Sequence, residues 1–208
     1  AHSARQYVAQ KQEFKSQVKG LERDGHLVDK AKIRNEVDSP FYHGGLVINQ
    51  HASLDPARYH QGLYERALAS GCHLVDNCRV ENIVRNTDGF NLTTAKGQIW
   101  AGKVIVATSG YTGSATPWHQ RRIIPIGSYM LATEILDPDL ARSLIPNDRV
   151  VSDTRKLVVY YRLSPDGHSI LFGARVSYKE TAPISSAGPL RLEMLRIFPQ
   201  LADAKITH

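Results

Sequence analysis

Residues 79–110 have the sequence RVENIVRNTDGFNLTTAKGQIWAGKVIVATSG, in which short runs of strand-forming residues alternate with turn signals. The turn signals are Asp88-Gly89 and Lys96-Gly97, and they predict a three-stranded antiparallel meander. Lys103–Ala107 follows as a continuous apolar run after its lysine. Such a run predicts a strand buried on both faces, as in a parallel sheet. The small residues Thr108-Ser109-Gly110 end that strand.

The segment before the meander favours helices. Apolar residues recur at mixed three-, four- and six-residue intervals over residues 4–21, which favours a helix, and Gly25 interrupts the pattern. Asp29 can cap a second short helix that reaches Val37, and Leu46–Ile48 then predicts a strand. Asp55-Pro56 begins a further helix, because the carboxylate can accept amide hydrogen bonds while proline occupies the first turn. Gly71 supplies the stop for that helix.

The segment after the meander mixes strands and helices. Residues 123–135 favour strand, and Asp137-Pro138 begins a helix that ends near Ile145. Residues 157–163 and 169–173 predict a hairpin, and a last helix spans about Pro189 to Phe198. Together the elements predict an α/β (α+β mixed) architecture of two interleaved parts, one with a parallel sheet and the other with an antiparallel sheet.

Composition and charge narrow the class of protein. The 208 residues are 42% hydrophobic and 22% charged, as in globular chains, and no apolar run is long enough to span a bilayer. The net charge is +6, but acidic residues are mixed among the basic ones from Arg5 to Arg34, which favours a solvated helical face over a nucleic-acid interface. Residues 1–20 lack the apolar core of a signal peptide, so we expect a cytoplasmic protein without nucleic-acid or membrane partners.

Cys72 and Cys78 are the two cysteines of the chain. One disulfide between them is possible, but free thiols in a reducing cytoplasm are the favoured interpretation. Their spacing does not match that of a zinc pair, although His73 lies between them, so we expect no metal site.

Several stretches carry a family resemblance through their order and spacing rather than through any single motif. They are Ser39-Pro40-Phe41-Tyr42-His43-Gly44-Gly45, Leu54-Asp55-Pro56-Ala57-Arg58-Tyr59, the helix that ends at Gly71, the meander, Val104-Ile105-Val106-Ala107-Thr108-Ser109-Gly110-Tyr111, and Tyr160-Tyr161-Arg162 through Asp166-Gly167. In this order they resemble the D-amino-acid oxidase superfamily of FAD-dependent oxidoreductases, and within it the gamma-glutamylputrescine oxidoreductase-like branch. The resemblance covers residues 30–206.

The resemblance implies FAD as the cofactor and oxidation of an amine or amino acid to an imine, by hydride transfer to the flavin, in the intact protein. It also implies a Gly-x-Gly-x-x-Gly turn for the pyrophosphate, which this sequence lacks, because Gly44-Gly45 has no third glycine and precedes a strand. We therefore expect the chain to be an internal fragment that is inactive by itself. Residues 1–54 would be a helical lead-in and the first substrate-domain strand. Residues 55–113 would be part of a Rossmann-like FAD-binding domain, and residues 114–208 an antiparallel-sheet substrate domain.

On the cofactor side, the resemblance implies contacts from Val80 and from Ala107, Thr108 and Gly110. Val80 would offer backbone groups to the adenine, and the small loop residues would permit close approach of the dinucleotide. An ordinary meander core and a plain exit from a strand would have the same sequence, so both interpretations stay open.

On the substrate side, the resemblance implies Tyr161 and Arg162 as catalytic residues, with Tyr160, Gly45 and His51 as substrate-binding residues. Successive strand residues point to opposite faces, so Tyr160 and Arg162 share one face and Tyr161 takes the other. An arginine can hold a carboxylate by two parallel hydrogen bonds, and a tyrosine can wall the pocket. The alternative is a packed strand with one surface arginine, and a structural or solvent-exposed His51.

Two other functions fit the sequence. A non-catalytic remnant or binding module of the same fold would also lack the glycine-rich turn. A nicotinamide-linked dehydrogenase fits less well, because a meander followed by a buried strand resembles the flavoprotein layout. No Gly-x-Ser-x-Gly elbow accompanies the serines, so the sequence does not indicate a serine hydrolase.

Overall fold

The computed structural model describes residues 1–174 and 183–207 and divides into two compact units. Unit 1 comprises Ala1–Asp55 and Gly127–His208, and unit 2 comprises Pro56–Ile126. Residues 175–182 and His208, which belong to the expected substrate domain, lie outside the described residues. Within the described ranges, none of the helices combines the length and the apolar character that crossing a bilayer requires.

The elements are numbered in chain order. The helices are α1 (Ala4–Lys15), α2 (Pro56–Ala69), α3 (Pro117–Gln120), α4 (Pro138–Leu144) and α5 (Pro183–Ile197). The strands are β1 (Gly25–Asp29), β2 (Gly44–Ile48), β3 (Val80–Arg85), β4 (Phe90–Thr94), β5 (Gly97–Ala101), β6 (Tyr129–Ala132), β7 (Val151–Ser152), β8 (Val159–Leu163) and β9 (Ile170–Ala174). Short 3₁₀ helices occupy Ile33–Asn35, Ser109–Tyr111 and Pro199–Leu201.

Unit 2 contains the meander that the sequence predicts. β3, β4 and β5 pair antiparallel in that order, and the Asn86 N–H donates to the Gly89 carbonyl at 2.8 Å to close the first turn. Gly97 adopts a φ of 137° in the second turn, a conformation that residues with a side chain rarely adopt. The register of β3 against β4 shifts between Val80 and Asn82. The meander prediction is confirmed.

The strand predicted at Lys103–Ala107 is not formed. Residues 103–108 have no regular secondary structure, and the Ile105 side chain is 91% exposed. An apolar run becomes a buried strand only when neighbouring strands pair with its backbone and other elements cover its faces. Among the described residues every paired strand is antiparallel, so the parallel sheet predicted for this region is wrong as well.

Helix α2 confirms the helix predicted from Asp55-Pro56. It ends at Ala69, and Gly71 follows with a φ of 84°, which suits its predicted role as the stop. None of its residues is buried, and Leu63 is half exposed.

Unit 1 is built on a four-stranded antiparallel sheet with the strand order β6-β9-β8-β7. The predicted hairpin is confirmed as β8–β9, and the helix after Asp137 is confirmed as α4, whose first amides at Asp139 and Leu140 donate to the Asp137 carboxylate. The strand expected over residues 123–135 is shorter, because β6 pairs with β9 only over Tyr129–Ala132 and Thr133 adds a single bridge to Ile206. Helix α5 begins before the predicted start, and Pro189 lies inside it.

The core of unit 1 lies on one face of this sheet, where α5 packs. Ile170, Phe172, Met194, Ile197 and Phe198 are fully buried there. Burying such side chains contributes roughly 1.5–3 kcal/mol each, so this layer fixes which face of β8 points inward and which remains exposed.

A second, two-stranded antiparallel sheet of β1 and β2 completes unit 1. β2 confirms the strand predicted at Leu46–Ile48, but β1 occupies the region where the sequence indicated only a break. The helix predicted from Asp29 to Val37 is reduced to a single 3₁₀ turn, and α1 ends at Lys15 instead of continuing to residue 21. Gly25 is required by pairing, since a Cβ there would lie 2.2 Å from the Val47 carbonyl oxygen.

Candidate functional site

The hairpin β8–β9 positions three of the predicted site residues. Val159, Tyr161 and Leu163 point into the core, whereas Tyr160 and Arg162 are only partly buried, as the strand alternation predicts. Tyr160 and Arg162 therefore lie on the exposed face of the sheet and Tyr161 lies on the opposite face.

Tyr161 is part of the core. Its side chain is 1% exposed, its ring stacks on Phe172 with centroids 5.7 Å apart, and its edge meets Phe198 at 5.1 Å. Its hydroxyl donates to the Tyr42 hydroxyl at 3.0 Å. Burial raises the pKa of both hydroxyls above the ordinary tyrosine value, so both are neutral near pH 7. This burial does not fit the direct catalytic role that was expected for Tyr161.

Tyr160 lies across the neighbouring strand. A Cβ on Gly173 of β9 would be 2.2 Å from Tyr160 Cε2, so the ring rests directly on the glycine backbone. The Tyr160 hydroxyl is hydrogen-bonded to the Ser128 hydroxyl. Met130 of β6 pairs with Gly173 and is 53% exposed beside the ring. The exposed face of the sheet therefore carries an aromatic and aliphatic surface.

Arg162 lies one row further along the same face. Its Nη1 donates to the Leu54 carbonyl oxygen at 2.8 Å, which ties the guanidinium to the segment that follows His51. An arginine has five N–H donors in a planar fork. Among the described residues, the hydrogen bond to Leu54 occupies one of these donors of Arg162. The remaining donors can hold a carboxylate.

Gly45 and His51, the other predicted substrate-binding residues, line a cavity of about 270 Å³ in unit 1. Gly45 pairs with Val28 across the small sheet, and His51 is exposed at the cavity rim. Ser152 of β7 also lines the cavity and pairs with Tyr160. The structure therefore separates the predicted residues into a cavity and a sheet face, which border each other at β7.

An ion pair between Glu36 and Arg149 lies in the cavity wall. Arg149 Nε donates to Glu36 Oε2 at 2.6 Å, and the Asn147 amide donates to the same oxygen at 2.9 Å. Burial acts to raise the pKa of Glu36, but these hydrogen bonds outweigh it and hold the pKa below its usual value. Glu36 is therefore an anion near pH 7 and is paired with Arg149.

The predicted cofactor residues lie in unit 2. Val80 opens β3 at the register shift, while Ala107, Thr108 and Gly110 are exposed in the loop after the meander. The Thr108 carbonyl accepts from the Tyr111 N–H at 2.9 Å, and its side chain contacts the Thr112 hydroxyl. Exposed backbone with small side chains fits a dinucleotide that approaches closely. The chain has no Gly-x-Gly-x-x-Gly turn, so its residues fit only part of FAD.

Among the described residues, no group of His, Cys, Asp and Glu side chains is arranged so that it could hold a metal ion. Cys72 and Cys78 are both free thiols.

Sequence reasoning missed three residues of the exposed sheet face, namely Ser128, Met130 and Gly173. A glycine inside a strand is a known sign that another group approaches the backbone closely, so Gly173 carried a usable signal. Ser128 and Met130 carried none, because their role depends on β6 pairing with β9 rather than on local pattern.

Comparison with known proteins gives consistent matches. The family model described as FAD dependent oxidoreductase matches residues 1–208. Gamma-glutamylputrescine oxidoreductase of Escherichia coli is 34% identical over 183 residues, which are 88% of this chain and 42% of that protein. The probable oxidoreductase OrdL of Rhizobium meliloti is 29% identical over 182 residues, which again are 88% of this chain and 42% of that protein. The chain thus spans less than half the length of these curated relatives.

Solved structures share the fold. Glycine oxidase from Geobacillus kaustophilus superimposes with a TM-score of 0.69 and 15% identity, over 91% of this chain and 50% of that chain. NikD, described as an unusual amino acid oxidase, superimposes with a TM-score of 0.57 and 17% identity, over 95% of this chain and 51% of that chain. At these identities the matches establish the fold alone.

Proposed function

Because the chain belongs to the FAD-dependent oxidoreductase family, whose model it matches along its whole length, we propose that it supplies the substrate-side sheet of an enzyme that oxidises an amine or amino acid to an imine. The observation that carries the proposal is the exposed face of β8, where Tyr160 and Arg162 lie side by side. The name of the Escherichia coli relative supports an amine donor.

The chemistry of the reaction belongs to the cofactor. Bound FAD would supply the oxidant for this reaction, as the acceptor of a hydride from the carbon next to the substrate nitrogen. In this proposal unit 2 is part of the cofactor domain, and Val80, Ala107, Thr108 and Gly110 would contact the dinucleotide through their backbone. The pyrophosphate is not assigned to any residue of this chain, because the sequence lacks the glycine-rich turn.

The residues of unit 1 bind and orient the substrate. Arg162 holds a carboxylate with the donors that Leu54 does not use, and Tyr160 walls the site beside it. Tyr161 keeps β8 in place from the core side. Gly45 and His51 extend the site into the cavity that reaches β7. Fixing the amine in one orientation is the main contribution that a protein can make to such a reaction.

The proposal is tested by replacing Arg162 in the protein expressed at the full length that its gene encodes, with FAD bound. Arg162→Ala removes a charge-assisted pair of about 2–4 kcal/mol, so kcat/KM for a carboxylate-bearing amine should fall about 30- to 1000-fold with unchanged flavin content. Arg162→Lys should recover part of the loss, because an ammonium cannot present the planar fork.

Arg191→Ala is the matched control. Arg191 also donates to one backbone carbonyl, that of Ala202 at 2.7 Å, but it lies on helix α5. Its replacement removes a comparable structural contact and should leave the kinetics unchanged. Wild-type kinetics in Arg162→Ala, or an equal loss in Arg191→Ala, would remove Arg162 from the site.

A further inference from the structure

We propose that Gly173 and Ser128 are positioning residues which hold the Tyr160 ring flat on the sheet, so that the ring and Met130 form a platform for the carbon chain of an aliphatic carboxylate. The platform would accept an amine that carries an aliphatic segment and a carboxylate. The inference rests on the proposed function for the identity of the reacting amine, but the platform itself is a binding site that can be tested without turnover.

The register of the sheet places the platform in one row. Met130 pairs with Gly173, and Gly173 pairs with Tyr160, so the three residues lie across β6, β9 and β8 at the same level. Side chains of paired residues in an antiparallel sheet project to the same face. Because Gly173 has no side chain, the Tyr160 ring occupies the space above it.

The distances show that this space is completely used by the ring. A Cβ on Gly173 would lie 2.2 Å from Tyr160 Cε2, 2.6 Å from Tyr160 Cζ and 2.9 Å from Met130 Cγ. Each distance is shorter than a Cβ can tolerate, so alanine at this position must lift the ring, Met130, or both.

The Tyr160 hydroxyl is fixed at the other end of the ring. It is hydrogen-bonded to the Ser128 hydroxyl. Ser128 directly precedes β6, the strand that carries Met130. A ring that rests on a glycine at its edge and is tethered at its hydroxyl has one orientation. Met130 beside it is 53% exposed, so the upper surface of the pair is available to a ligand.

The next row of the sheet carries the charge. Ala132, Leu171 and Arg162 pair across the same three strands, two residues further along. Rows two residues apart are separated by about 6.5 Å along a strand. A ligand that lies on Tyr160 and Met130 can therefore extend its carboxylate over Leu171 to Arg162. A bare alkylamine has no group for Arg162, which makes the carboxylate the selective feature.

The test measures the binding of straight-chain alkyl carboxylates, which bind without reacting, to the full-length protein with FAD bound. Their affinity is read from the perturbation of the visible flavin spectrum. Gly173→Ala should weaken binding about 10-fold, which lies in the lower part of the range for forcing an extra methyl group into a filled space. Gly188→Ala is the matched control, since a Cβ on this exposed glycine of α5 meets nothing within 4 Å, and it should leave the affinity unchanged.

A double-mutant cycle separates ring positioning from a general effect on the strand. In a Tyr160→Ala background there is no ring to displace, so Gly173→Ala should then change the affinity by less than about 2-fold. A change of that size is within the scatter expected when mutational effects are compared. An undiminished effect in that background overturns the inference. If Gly173→Ala does not fold, Ser128→Ala provides the second variant, and it should weaken binding about 2- to 10-fold, as expected for one hydrogen bond.

The outcomes distinguish this inference from the proposed function. If amines reduce the flavin but Gly173→Ala and Tyr160→Ala act independently on the affinity, the platform is wrong and the proposed oxidation stands. If the cycle shows coupling but no amine reduces the flavin, the platform stands and the oxidation is wrong. Failure of the wild-type protein to bind any alkyl carboxylate overturns the platform.

Discussion

Tyr161→Phe tests the role of Tyr161, which the sequence analysis expected to be catalytic. The structure places Tyr161 in the core, where its hydroxyl is hydrogen-bonded to that of Tyr42. The substitution keeps the ring that stacks on Phe172 and removes only the hydroxyl that donates to Tyr42 at 3.0 Å. The Tyr42 side chain is 4% exposed, so its hydroxyl would be left buried without this partner. We expect the free energy of unfolding to fall by about 1–3 kcal/mol, the cost of one unsatisfied buried polar group.

The same reasoning predicts non-additivity. Tyr42→Phe should cost about the same as Tyr161→Phe, because it leaves the other hydroxyl of the pair unsatisfied. The double variant removes both polar groups and keeps both rings, so its cost should be at least about 1 kcal/mol smaller than the sum of the single costs.

Chemical denaturation of the full-length protein measures these effects, and Tyr64→Phe serves as the control. Tyr64 is 44% exposed on helix α2, so losing its hydroxyl should leave the free energy of unfolding unchanged. KM and kcat of the Tyr161→Phe variant should remain at wild-type values. A large kinetic effect without loss of stability would refute this reasoning and return Tyr161 to the substrate.

Two further predictions concern alkaline stability and cofactor affinity. Burial, with the hydrogen bond to Asp29 at 2.8 Å, raises the pKa of Tyr7 to about 12, so the neutral hydroxyl stabilises the fold below the unfolded pKa of about 10 and this stability is lost as the pH rises towards 12. Tyr7→Phe should therefore flatten the loss of stability between pH 10 and 12 in denaturant titrations, and an unchanged slope would contradict the assignment. The 208-residue chain, titrated with FAD by fluorescence, should bind more weakly than micromolar, because the amides of a glycine-rich turn contribute roughly 1.5–3 kcal/mol each. A yellow chain with micromolar or tighter affinity would show that other residues hold the pyrophosphate.

Local signals were sufficient for part of the fold. The meander, α2, α4 and the β8–β9 hairpin each carry their own turn or cap residues, such as Asp137 before α4 and Asp88-Gly89 between β3 and β4. These signals act over a few residues, so they can be interpreted without knowing what packs nearby.

Elements that depend on distant partners were not predictable in this way. Lys103–Ala107 has the composition of a buried strand, but a strand also needs a neighbour to pair with its backbone. β1 was missed because its pattern is short and its glycine indicated a break, whereas pairing with β2 requires that glycine. In the candidate site, strand alternation predicted the opposite faces of Tyr160 and Tyr161. It could not predict that the ring of Tyr160 lies on Gly173, which depends on the register of β8 and β9.

Anaerobic mixing of the full-length, FAD-bound protein with carboxylate-bearing amines is the most direct test of the central claim. The visible absorbance of the oxidised flavin reports whether the substrate delivers its electrons to the cofactor. The account predicts that the band bleaches in a single turnover, that the imine or its hydrolysis product forms in equal amount, and that Arg162→Ala slows the bleaching with the same flavin content. A protein that binds FAD but retains the oxidised spectrum with every amine and amino acid tried would contradict it.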